Sequence, residues 1–183
     1  MHGIQQKGAS NRFTLPFAVA ALVFCLTGAS AVARAADPAS LLEQARTSAS
    51  QLRQDTDQMQ GFANSNLSWK SHGQQINMIK EHVNKLGDLL SQMHEARGDA
   101  SHTQQQAIDR ISPLLEEIAS NTTAVINHLN EHPNRTWNPN YKNYVAENAR
   151  LTTELSGAIN DFVEYDRTKS RMEELEQKLS QGS

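Results

Sequence analysis

Apolar residues recur along this chain in steps of three and four, and they do so four times. Leu42, Ala45, Ala49, Leu52, Thr56, Met59 and Ala63 form the first seam. Trp69, His72, Ile76, Ile79, Val83, Leu86, Leu90 and Met93 form the second. Ile108, Ile111, Leu115, Ile118, Thr122, Val125 and Leu129 form the third, widened by Leu114 and Ile126. Tyr141, Tyr144, Asn148, Leu151, Leu155, Ala158, Phe162 and Tyr165 form the fourth, with Val145, Ile159 and Val163 alongside. A repeat of about 3.5 residues sets each group on one face of a helix and favours left-handed packing between neighbours. No such face is stable alone in water, so the four helices must cover one another.

The breaks between seams carry helix punctuation. Asp37-Pro38 places a capping residue before a proline at the first helical position. Asn64-Ser65-Asn66 ends the first helix, and Ser68 can cap the second. Gly98 marks a stop, with Asp99 or Ser101 as cap of the third helix. Pro133 closes the third helix and Asn138-Pro139 opens the fourth. Pro113 falls inside the third seam, where a kink is expected.

Short connections make successive helices antiparallel. The expected fold is therefore all-α: an up-down-up-down four-helix bundle over residues 36–165. A fourth helix of about 40 residues outruns a first helix of about 25. Residues 166–183 are then a polar helical extension, in which Met172, Leu175 and Leu179 are the apolar positions. Two readings of it stand: a solvated helix, or a short coil for self-association.

Residues 1–35 read differently. Lys7 and Arg12 precede an uncharged, mostly apolar stretch from Phe13 to Val32, and Ala33-Arg34-Ala35 supplies small residues at a cleavage site. Its strongly apolar core, Phe17 to Leu26, is shorter than the roughly 20 residues of a membrane span. A cleaved secretory signal is expected, and with it a periplasmic or extracellular location and no stable membrane span afterwards. Phe24 before Cys25 is bulky where a lipoprotein signal needs a small residue.

Composition narrows the function classes. Cys25 is the one cysteine and it lies in the signal. The remainder then has no disulfide, cysteine nucleophile, thiolate metal site or c-type haem attachment. The chain holds 17 Lys and Arg against 20 Asp and Glu, and Lys7, Arg12 and Arg34 leave with the signal. Such an acidic, evenly charged protein is a poor match for nucleic acid.

Candidate chemistry rests on histidine. His128 and His132 lie four apart in HLNEH, on one helical face, a spacing that allows two imidazoles to share a metal. A hairpin turning near residue 99 sets His72 opposite about position 126, close to His128. His72, His128 and His132 are thus a candidate site for a transition metal, with Tyr141 at the same end. Histidine at a helix C-terminus also has a plain electrostatic role against the helix dipole. Haem would need inward axial ligands, for which Met59, His72 and Met93 are on seams. Glu-x-x-His pairs, HExxH, GxSxG and glycine-rich phosphate loops do not occur, so no enzyme is expected.

Trp137 sits in the loop HPNRTWNPNY, followed by Tyr141, and these two are candidate partner-binding residues. The expected function is that of an exported, non-enzymatic bundle that binds a protein partner, an envelope component or itself. Its alternative is a metal- or haem-binding bundle using the end histidines.

Overall fold

The computed structural model describes residues 37–181; the expected signal peptide and cleavage site lie outside them. Four helices make up the described residues: α1 Pro38–Ala63, α2 Trp69–Glu95, α3 His102–Glu131 and α4 Pro139–Gln181. One turn of 3-10 helix, Ala96–Gly98, follows α2. Helix α1 packs against α2 and α4, and α3 packs against the same two, so the helices form a four-membered ring around one core. No described helix is long and apolar enough to cross a membrane.

Cross-helix bonds fix the register. Arg167 meets Glu43 at 2.7 Å, Arg46 meets Glu164 at 3.1 Å, and Thr56 meets Thr152 at 2.6 Å. Numbers rise along α1 as they fall along α4. Both ion pairs are substantially exposed, so each contributes about 0–1 kcal/mol, and the apolar core carries the stability.

The core follows the first and third seams position for position. Leu42, Ala45, Ala49, Leu52, Thr56, Met59 and Ala63 are all buried in α1, as are Ile108, Ile111, Leu115, Ile118, Thr122, Val125 and Leu129 in α3. The second seam needs two corrections. Trp69 is exposed because it stands at the very first position of α2, beyond the layer its neighbours cover, and Leu89 is buried where Leu90 was expected. The fourth seam drifts more. Tyr141, Val145, Asn148, Thr152, Leu155, Ile159 and Val163 are buried, while Tyr144 and Tyr165 are exposed. Val145, Ile159 and Val163, alongside the seam, take over from Tyr144, Ala158 and Phe162, so the covered stripe of α4 sits to one side of the strict three-and-four spacing.

Local signals act where expected, with exceptions. Ser101 caps α3 in a full capping box: its hydroxyl accepts from the Gln104 N–H, and the Gln104 side chain accepts from the Ser101 N–H. Asn138 Oδ1 accepts from the Asn140 N–H at the start of α4. Neither Asp37 nor Ser68 makes a side-chain cap bond. Helix α3 runs through Pro113, which lies on the exposed face with Asp109. There the carbonyl deprived of its N–H partner is open to water.

Candidate functional site

Three groups of polar side chains lie within or against the core. The first is at the end of the bundle where α2 and α4 begin and α1 and α3 finish. His72, in the first turn of α2, has no exposed surface, and its Nδ1 lies 2.6 Å from the Tyr141 hydroxyl in the first turn of α4. Tyr141 is likewise fully buried. Its ring stands 5.7 Å from the His72 ring and 5.1 Å from that of His128, and Phe62 approaches His72 at 6.0 Å from the α1 side. Four aromatic rings from four helices thus close this end.

Burial sets the protonation there. Loss of water lowers the His72 pKa below its ordinary value and raises that of Tyr141 well above its own. At neutral pH both are uncharged. The hydroxyl donating to Nδ1 leaves one group unmatched, the His72 Nε2–H, which is buried and has no partner. The reverse arrangement would strand both the Nε2 lone pair and the phenolic hydrogen. A buried unmatched donor costs about 1–3 kcal/mol.

His128 is pinned differently: its Nε2–H donates to the Arg135 carbonyl at 3.0 Å, which ties the α3–α4 loop to α3. His132 stacks edge-on to it at 5.4 Å. Among the described residues, no three His, Cys, Asp or Glu side chains are grouped to hold a metal ion. The three candidate ligands therefore share one end of the bundle, and His72 and His128 flank the same tyrosine, without converging on a common point. Tyr141 is corrected as a partner-binding residue: it is core. Trp137 is 66% exposed at the tip of the loop that opens α4.

The second group joins α1 to α2 and was not singled out from the sequence. Asp55 is buried; its Oδ2 accepts from His82 Nδ1–H at 2.6 Å, and its backbone carbonyl accepts from Gln75 Nε2–H at 3.0 Å. The one sequence signal was a carboxylate directly beside seam position Thr56. The third group crosses the core. Thr56 meets Thr152 at 2.6 Å, Thr152 returns a bond to the Asn148 carbonyl, and Asn148 Nδ2 donates to Thr122 Oγ1 at 3.1 Å. Asn148 Oδ1 has no partner and borders a small void, too tight for water, between Met59, Ile76, Ile79, Val125 and Val145.

Outside the core, α4 runs on for four turns past its last buried residues, the first of these turns flanking the start of α1. From Arg167 to Gln181 every residue is exposed, including Met172 at 57% and Leu175 at 50%. Near its base a groove runs between α4 and the start of α1, bordered by Leu42, Glu43, Val163, Arg167 and Arg171.

Comparison with known protein families, curated proteins and solved structures finds no match.

Proposed function

We propose that this chain is an exported, non-enzymatic four-helix bundle of up-down-up-down order that works by binding. Its partner is another protein, an envelope component or a second copy of itself. One observation carries the reading. Helix α4 projects as an exposed arm whose Met172 and Leu175 lie on one face, whereas most other large apolar side chains among the described residues are in the core. Apolar side chains held in water at the end of a rigid helix are a binding surface in waiting. The buried polar groups support the same view. His72–Tyr141, Asp55–His82, Thr56–Thr152 and Thr122–Asn148 each link two helices, which is the use of core polar groups that sets register. Export rests on the signal pattern of residues 1–35. Trp137 offers a second exposed anchor at the far end.

A photo-crosslinking residue placed at Met172 tests this in the protein's own compartment. An adduct of defined mass is the expected outcome. Absence of any adduct from position 172, together with a strictly monomeric protein, overturns the proposal.

One observation favours a transition metal or haem at the histidine end instead: the buried Nε2 of His72 has no partner, at the end of the bundle that also carries His128 and His132. Elemental analysis and a visible spectrum of untagged protein test it. Bound metal or a Soret band supports that reading, and their absence with no zinc-induced rise in melting temperature sinks it.

A further inference from the structure

The arm's apolar face does not continue the core face of α4. Val163 is the last buried residue of that helix. Met172 lies nine residues on, and at about 100° per residue it has turned about half a circle away from Val163. Tyr165, Thr168, Met172 and Leu175 share this outer side in steps of three and four, and Leu179 keeps the same phase. Tyr165, Met172 and Leu175 are all at least half exposed. The side of α4 that borders the α1 groove holds Val163, Arg167, Arg171 and Glu174 instead. The stripe is therefore not a frayed remnant of the bundle seam. It is a second seam, facing away from the first.

Building on the proposed binding role of the arm, we infer that this second seam pairs in parallel with the same arm of a second copy of the chain. Charge placement selects the occupant and its direction. With Tyr165 and Met172 at the first core position of the heptad and Thr168 and Leu175 at the other, the flanking positions are Glu164, Lys169, Arg171, Glu176 and, before Leu179, Lys178. In a parallel pair the residue just before each first core position faces the one five places on in the other chain. That sets Glu164 against Lys169 and Arg171 against Glu176, each twice by symmetry. Glu164 is also held within its own chain by Arg46 and Arg167. Arg171 and Glu176 are therefore the pair that reports direction. An antiparallel pair would set Lys169 against Glu176 but Arg171 against Lys178, like facing like.

An isolated two-heptad peptide would not pair, because nucleating so short a helix is unfavourable. Here the nucleus exists already. The arm is the end of a 43-residue helix whose first six turns are locked into the bundle. It consists largely of Glu, Lys, Gln, Arg, Leu and Met, and Lys169 lies 4.0 Å from Glu173 one turn on.

Sedimentation equilibrium on the full exported protein tests the inference, with Arg171→Glu, Glu176→Arg and the double exchange beside the wild type. The expected result is a reversible dimer that each single change weakens by about five- to tenfold through two symmetric repulsive pairs, and that the double exchange restores. These positions are exposed, and an unchanged helical spectrum and melting temperature confirm each fold. Tightening by Arg171→Glu overturns the parallel direction, and a dimer indifferent to all three changes overturns the arm as its site. A monomer at every accessible concentration overturns the inference outright. If position 172 then still crosslinks to a different protein, the broader binding role stands without self-pairing; if it crosslinks to nothing, both fall.

Discussion

His72 shows what one buried side chain does to the pH response of the whole fold. Its pKa is lowered in the folded state, so the neutral ring is the folded form and the unfolded chain takes up the proton more readily. The contribution is complete above the unfolded value near 6.5 and is lost as pH falls below it, by at most about 1.4 kcal/mol per pH unit for one proton. Denaturant midpoints measured from pH 7 to 5 should therefore fall. His72→Phe, which keeps an aromatic ring in the cluster, should flatten that slope, and an unchanged slope would rule His72 out as its source. Tyr141→Phe removes the hydroxyl and leaves Nδ1 as well as Nε2 without a partner. Its expected cost is about 1–3 kcal/mol in equilibrium unfolding. Asp55→Ala strips His82 of its acceptor but spares the backbone carbonyl that holds Gln75, so a cost near the lower end of that range is expected.

At the scale of the helix, the ends distinguish real caps from nominal ones. Ser101 makes both bonds of a capping box, whereas Ser68 makes no bond to the backbone of α2. Thermal unfolding should show Ser101→Ala losing about 1 kcal/mol and Ser68→Ala only a few tenths. Equal losses would mean that the capping box contributes nothing of its own. The apolar spacing made four helices legible, and every seam position of α1 and α3 is buried. Helix α4 was legible only as a wider stripe, since Val145, Ile159 and Val163, beside the seam, are buried where Tyr144, Ala158 and Phe162 are not. The neighbourhood of His72 and His128 followed from hairpin register alone. The Asp55–His82 bond did not, because spacing within one helix says nothing of which polar residue a neighbouring helix will cover.

For the whole molecule, two surfaces of one helix divide the work. The inner face of α4 closes the core through Leu151, Leu155, Ile159 and Val163, and the outer face of its last four turns carries Met172 and Leu175 into water. Stability and binding should then be separable by mutation, since the arm touches little of the body that it leaves. The most direct measurement is the association constant of a Met172→Glu, Leu175→Glu double variant by sedimentation equilibrium, with unfolding followed on the same sample. A monomer whose unfolding free energy stays within about 0.5 kcal/mol of the parent is the predicted result. An association constant unchanged from the parent, or a loss of association that comes only with a loss of folding, would contradict it.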